Sequence, residues 1–309
     1  MKRIAVLLNP SAAGGRALRL KPVLESRLSE AGVGFDLYVT ENEAHFRSLS
    51  RDMALRYGIL AAAGGDSALH ILVNEIMSLG ARPAVGFIGL GSSNDIGREF
   101  GIETLDKVCA ALRRGHGRPI DLGRISCPGT DPVWFVGQAN LGLGATVNAW
   151  IEALARRAPR LARAQTPAGI LAVMSAFRRK QVPISLSISA DRDRPIEGPF
   201  TAAVFTNLRY WATGKLIAPA ARPDDGLLDA CLIEGMSFFR FVRIALKAGR
   251  GAHTGLPGVR MLKSCCFAVS SKAGFAVQAD GLILGPGNRT ELFRDITIET
   301  VPKAIKLIA

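Results

Sequence analysis

Ala61-Ala62-Ala63-Gly64-Gly65-Asp66-Ser67-Ala68-Leu69 is a short apolar run that stops at two glycines and a carboxylate. Upstream, Tyr57 to Ala63 has the length and apolar content of a buried strand; downstream, Leu69, Leu72, Val73, Ile76 and Met77 recur at helical spacing. Glycines between a strand and a helix let a ligand approach the backbone. The helix N-terminus then offers N–H groups and a partial positive charge to an anion. Asp66 repels a bare phosphate, so its presence makes chemical sense with a divalent cation between the two. The same residues also satisfy an ordinary strand-to-helix turn with an N-capping aspartate, and the stretch alone does not choose.

Working outward, Arg3 to Leu8 reads as a first buried strand ending in Asn9-Pro10-Ser11-Ala12-Ala13-Gly14-Gly15-Arg16. Ala84 to Ile88 reads as another, ending in Gly89-Leu90-Gly91-Ser92-Ser93-Asn94-Asp95. Between them lie a helix marked by Leu20, Val23, Leu24, Leu28 and Ala31, a strand over Val33 to Val39, and a helix marked by Phe46, Leu49 and Met53; a further helix is predicted over Leu105 to Arg114. Strands alternating with helices predict a parallel α/β sheet, whose ligands lie at the carboxyl ends of the strands. Three glycine-bearing loops therefore fall on one edge. None matches the P-loop or the G-x-G-x-x-G dinucleotide fingerprint. They share small residues, hydroxyls and two aspartates, Asp66 and Asp95, able to hold a cation beside a nucleotide phosphate. Asn94-Asp95 equally well caps the short helix toward Phe100.

The character changes near Gly123. Short apolar runs at Trp134–Val136, Ile184–Ile188, Phe200–Thr206, Leu227–Ile233, Phe267–Val269 and Phe275–Gln278 predict an antiparallel, β-rich second domain. The boundaries expected are 1–123 for the α/β domain, 124–290 for the β-rich domain and 291–309 for a terminal segment. Two basic segments interrupt the strands. One carries Arg156, Arg157, Arg160, Arg163, Arg178, Arg179 and Lys180; the other carries Arg240, Arg243, Lys247, Arg250, Arg260 and Lys263. Apolar residues interspersed among them predict basic amphipathic helices suited to an anionic lipid surface, while a solvated basic face over an ordinary core stripe accounts for the same pattern.

Across 309 residues the net charge is +13, with a pI near 10.1, which calls for an anionic partner. Aromatics are only 6% and are not interleaved with Lys and Arg as a stacking platform for single strands requires, so nucleic acid is not expected. The five cysteines are odd in number and lack C-x-x-C spacing, as in a reducing, cytoplasmic compartment. Ile4 to Leu8 is too short for a signal peptide, and Val133 to Ile151 is too rich in glycine and amides for a membrane span. The expected location is the cytoplasm, with peripheral attachment to the inner face of the membrane.

These residues resemble the diacylglycerol kinase catalytic family in its bacterial lipid kinase branch, which also includes sphingosine and ceramide kinases. Asn9-Pro10-Ser11 with Gly14 is similar to the family's N-P-x-S-G, Gly64 to Leu69 to its G-G-D-G-T-L, and Gly91-Ser92-Ser93-Asn94-Asp95 to its G-T-x-N-D. Asp121-Leu122-Gly123, Ala218-Pro219-Ala220, Asp224-Asp225-Gly226-Leu227-Leu228-Asp229 and Asp280-Gly281 follow in the family's order. The resemblance implies a nucleotide-binding α/β domain, a C-terminal β-sandwich whose last segment returns to the first domain, and a cleft between them. It implies ATP with Mg²⁺ or another divalent cation, and a membrane lipid whose hydroxyl is phosphorylated, either diacylglycerol or a ceramide or sphingoid type. Nucleotide contacts are implied for Asn9, Ser11, Gly14, Arg16, Gly64, Gly65, Asp66, Ser67, Gly91, Ser92 and Asn94. Metal contacts are implied for Asp66, Asp95 and Asp121, and proton abstraction for Asp280, with Asp66 also catalytic. The partners expected are the lipid substrate and an anionic membrane surface, with a homodimer left open.

Three departures stand out. Ser67 replaces a glycine, at a cost of about 1 kcal/mol if the loop demands positive φ. Ala68 lacks a hydroxyl, and Leu282 replaces the glutamate of D-G-E. They leave open a catalytically impaired nucleotide- or lipid-binding protein of the same fold. An NAD kinase-like enzyme also uses a G-G-D loop.

Overall fold

The computed structural model describes residues 3–91, 93–158, 165–191, 193–285 and 292–309. The chain divides into two compact units. Unit 1 is Met1–Leu122 with Ala212–Gly214 and Pro302–Ala309; unit 2 is Gly123–Trp211 with Lys215–Val301.

In unit 1 the strands are β1 (Ile4–Leu8), β2 (Phe35–Val39), β3 (Ile59–Gly64) and β4 (Ala84–Gly89). All pair in parallel in the order β2-β1-β3-β4. Strand β1 is apolar throughout and fully buried, as befits a strand covered on both faces. The connecting helices are α1 (Ala12–Arg19), α2 (Lys21–Glu30), α3 (Glu43–Ala54), α4 (Asp66–Leu79), α5 (Asp95–Glu99) and α6 (Leu105–Arg114). Helix α4 buries Leu69, Leu72, Val73 and Ile76 and ends at Gly80 in the left-handed conformation, a common C-cap. Helix α1 is not regular: Ala13, Gly14 and Gly15 all have positive φ (51, 67 and 88°), giving a left-handed turn inside it. The α/β domain with a parallel sheet is as the sequence predicts.

Unit 2 contains the antiparallel strands. Strand β5 (Gly117–Ser126) enters it from unit 1, followed by β6 (Val133–Phe135), β7 (Gln138–Gly142), β8 (Ile184–Ala190) and β9 (Ile196–Thr206). A two-residue pair, β10 (Tyr210–Trp211) and β11 (Lys215–Leu216), precedes β12 (Leu228–Glu234). Then come β13 (Val259–Ser264), β14 (Cys266–Phe275), β15 (Val277–Ala279), β16 (Leu282–Leu284) and β17 (Phe293–Ile308). The long strand β9 pairs with β7, β8 and β12. Its alternating side chains feed two cores. Phe200, Ala203 and Phe205 join Phe135, Phe267 and Ile298 in one; Ala202 and Val204 face Phe241, Ile244 and Ile217 in the other, which is covered by helices. Those helices are α7 (Leu143–Arg157), α8 (Gln165–Arg178) and α9 (Phe238–Ala248). The end of β17, Lys306–Ile308, belongs to unit 1 and pairs in parallel with β4.

The basic segment Ser237–Lys263 is helical only through Ala248. Arg260 and Lys263 lie on β13, where Arg260 pairs with Glu234 (2.8 Å) and Lys263 with Asp225 (2.8 Å) and Asp229 (3.5 Å). That ion-pair cluster explains the D-D-G-L-L-D motif: Asp225 also accepts from the Leu227 N–H (3.2 Å), setting the turn into β12. Burial pushes the Asp229 carboxyl up, with Lys263 opposing. Arg160 and Arg163 of the other basic segment lie outside the described residues. Among the described residues no helix is long and apolar enough to cross a membrane.

His253 is fully buried in unit 2; its Nε2–H donates to the Ile217 carbonyl (3.1 Å), and Cys231 Sγ lies 3.7 Å away. Burial holds its pKa below the ordinary value and pushes the Cys231 thiol up to about 12. The unfolded chain takes up a proton at this histidine below pH of about 6.5, whereas the native chain resists it. The stability this neutral histidine contributes is therefore present above pH of about 6.5 and lost as pH falls below that value. Urea denaturation should give a shallower pH dependence between neutral and mildly acidic pH in His253→Gln than in the wild type; equal slopes would contradict this.

Candidate functional site

The carboxyl edge of the unit 1 sheet brings the three loops together. The Gly64 carbonyl accepts from both the Leu90 N–H (2.8 Å) and the Gly91 N–H (3.2 Å), tying the loop after β4 to the loop after β3. Asn9 N–H donates to the Ala63 carbonyl (2.9 Å), tying in the loop after β1. The approach is close. A Cβ on Gly91 would lie 2.8 Å from the Gly65 Cα, and one on Gly64 would lie 2.8 Å from the Ala68 Cβ. Asn9, Gly64, Gly65, Asp66, Ser67 and Gly91 therefore belong to one backbone cradle at the head of α4, where N–H groups and the helix dipole favour an anion.

Within this cradle several expected contacts have other duties. Asn9 Oδ1 accepts from the Ser11 N–H (3.0 Å), so its side chain shapes its own turn. Asn94 has φ 48° and points its amide into the loop: a Cβ on Gly89 or Gly97 would lie 2.1 or 2.2 Å from its Oδ1, and its Nδ2 donates to the Glu103 carbonyl (3.3 Å). Gly89 and Gly97 leave the space that this amide fills. Gly14 lies in the left-handed turn of α1, and Arg16 follows it, exposed. Ser92 lies outside the described residues.

Ser67 is the second residue of α4 and is not among the positive-φ residues, so the expected strain is absent and a helical serine stands there without penalty. Ala68 is buried against Gly64, so the missing hydroxyl removes nothing from the exposed rim.

The three aspartates proposed as metal ligands do not converge. Among the described residues no group of three His, Cys, Asp or Glu side chains is placed to hold a metal ion. Asp121 is fully buried on β5, and its Oδ1 accepts from the Lys303 N–H (2.7 Å), anchoring the returning C-terminal strand. Asp95, nearly buried, accepts from Arg98 Nη1 (2.9 Å), Ser93 Oγ (2.7 Å) and the Thr213 N–H (3.1 Å). Its carboxylate is paired with Arg98 and braces the loop. Asp66 alone stands half-buried at the head of α4. Thr213 and Arg98 were not foreseen. A backbone N–H contributed from 118 residues away leaves no mark in sequence, although Arg98 is readable as the i+3 partner of Asp95.

In unit 2, Asp280 and Gly281 form a two-residue hairpin turn between β15 and β16, both with positive φ (43 and 92°), the geometry of a type I′ turn. The nearly buried Asp280 carboxylate accepts from three backbone N–H groups: Val136 to Oδ2 (2.7 Å), and Gly137 (2.8 Å) and Gln138 (3.0 Å) to Oδ1. It is thus fixed in orientation and holds the β6–β7 corner. Leu282, half-buried, opens β16 opposite Ala279.

The chain matches the diacylglycerol kinase catalytic domain over residues 3–125 and the YegS C-terminal NAD kinase beta sandwich-like domain over residues 137–309. It belongs to the diacylglycerol kinase family. A protein named diacylglycerol kinase from Mycobacterium tuberculosis is 30% identical over 287 residues, covering 90% of this chain and 88% of that one. One of the same name from Staphylococcus saprophyticus is 25% identical over 318 residues, covering 99% and 97%. A crystal structure described as a putative diacylglycerol kinase from Bacillus anthracis shares the fold, with a TM-score of 0.78 at 18% identity over 99% of this chain and 95% of that one. In this family member the cradle of unit 1 therefore lies within a lipid kinase catalytic domain.

The Gly65–Gly91 contact gives a direct test of the cradle. Gly91→Ala forces backbone apart, and overpacking of this kind costs about 1–3 kcal/mol. Chemical denaturation should register that loss, whereas wild-type stability in the variant would mean that the loops are not in contact.

Proposed function

We propose that this lipid kinase transfers the γ-phosphoryl group of ATP to a hydroxyl of a membrane lipid, diacylglycerol or a ceramide or sphingoid type. The observation that carries the reading is the backbone cradle of Gly64, Gly65 and Gly91 at the head of α4, in a catalytic domain of this family. Phosphoryl transfer asks mainly for positioning and charge neutralisation. The cradle supplies N–H groups and a helix dipole to phosphate oxygens, and Arg16, exposed beside the first loop, supplies a positive charge. Mg²⁺ enters on this reading as part of the nucleotide substrate. Such an ion commonly takes one or two carboxylates and completes its shell with phosphate oxygens and water, so Asp66 is the carboxylate assigned to it.

Asp280 is the proposed base that accepts the lipid hydroxyl proton. Three backbone donors fix the orientation of its carboxylate. The same bonds make Asp280→Asn costly, since an amide turns N–H toward N–H; a loss of about 3 kcal/mol is expected.

Leu282 supports a second reading, in which nucleotide binds without turnover. Purified protein incubated with labelled ATP, Mg²⁺ and a panel of lipids, with NAD as a control acceptor, separates the two. Labelled lipid is expected, and Asp66→Ala should abolish it while ATP-independent stability is kept. Asp280→Asn, assayed below its melting temperature, should lose about 10² to 10⁴ in rate. No labelled lipid from wild type, or label on NAD alone, contradicts the proposal; activity that appears only in Leu282→Glu favours the second reading.

A further inference from the structure

Helices α8 and α9 of unit 2 adjoin: the Phe177 ring meets the Phe238 and Phe241 rings at 5.6 and 5.7 Å. Their inner faces are ordinary core, with Ala172, Ala176, Phe241 and Ile244 buried. Their outer faces are not ordinary surface. On α9, Phe239, Arg243, Leu246 and Lys247 stand at i, i+4, i+7 and i+8, on one side of the helix. Phe239 is 83% exposed and Leu246 75%. On α8, Ile170, Leu171 and Met174 are also exposed, and Arg178, Arg179 and Lys180 close the helix. None of these cations forms an ion pair among the described residues. No acidic residue occurs from 153 to 180 or from 237 to 263.

We propose that this joint face of α8 and α9 docks on an anionic lipid bilayer, with Phe239 and Leu246 entering the headgroup–acyl boundary and Arg243 and Lys247 meeting lipid phosphates. Large exposed apolar side chains mixed with unneutralised cations match the interfacial helix pattern. The rival occupants satisfy only half of it. Nucleic acid neutralises the cations but leaves Leu246, Ile170 and Met174 in water. A second copy across a two-fold axis buries the apolar side chains but sets like charges against one another. Docking requires no ATP, so its test is separate from that of phosphoryl transfer.

The full chain is sedimented with vesicles of phosphatidylcholine alone and of phosphatidylcholine with phosphatidylglycerol in equal parts. Binding to the anionic vesicles, weakened by salt, is expected. Arg243→Gln/Lys247→Gln should weaken it about 25-fold, at about fivefold per charge. Phe239→Ser/Leu246→Ser should weaken it at least about tenfold, and both variants should melt like wild type because the side chains are exposed. Absence of sedimentation, equal binding to neutral vesicles, or wild-type binding by both double variants overturns the proposal. So does a wild-type dimer that Phe239→Ser/Leu246→Ser converts to monomer.

Discussion

The Gly64 carbonyl receives two N–H groups from the next loop, and Gly65 and Gly91 touch backbone to backbone. Everything proposed for unit 1 depends on that contact. It requires hydrogen in place of a side chain at Gly91, and it joins three strand ends at the head of α4. Asp95, Arg98, Ser93 and Thr213 brace the loop after β4, and Asn94 fills the space that Gly89 and Gly97 leave open. The polar side chains that look like ligand groups in sequence largely hold the loop in shape. On the proposed reading the backbone at the head of α4, together with Arg16, meets the phosphates.

This division of labour explains what could be read in advance. Helix α6 ends where its periodicity ends, at Leu105 and Arg114, because Thr104 and Gly115 cap it locally. The parallel sheet was legible because β1 and β3 are buried on both faces and read as continuous apolar runs. The anchoring role of Asp121 was not, because its partner is a backbone N–H 182 residues away. The strain expected at Ser67 depended on a loop conformation with positive φ; Ser67 instead lies in the first turn of the helix. Strand β17 escaped notice because Pro302 and Lys303, the latter at φ 50°, interrupt its pattern midway.

In unit 2 the chemistry of Asp280 is inseparable from its architecture. A D-G dipeptide is an efficient hairpin turn, and here its carboxylate also ties down residues 136–138. Under the proposed base role, loss of activity on replacing it has two causes, a missing base and a loosened corner, which stability-matched kinetics separates. Likewise Lys263 and Arg260, basic in sequence, are spent on Asp225, Asp229 and Glu234. That leaves the outer faces of α8 and α9 as a concentrated source of unneutralised charge beside exposed apolar side chains.

The central claim is that the cradle holds nucleotide phosphates. A crystal structure with a non-hydrolysable ATP analogue tests it most directly. The account predicts phosphate oxygens against the backbone of Gly64 to Ser67 and of the loop beginning at Gly91. A nucleotide bound elsewhere, or one whose phosphates point away from the head of α4, would contradict it.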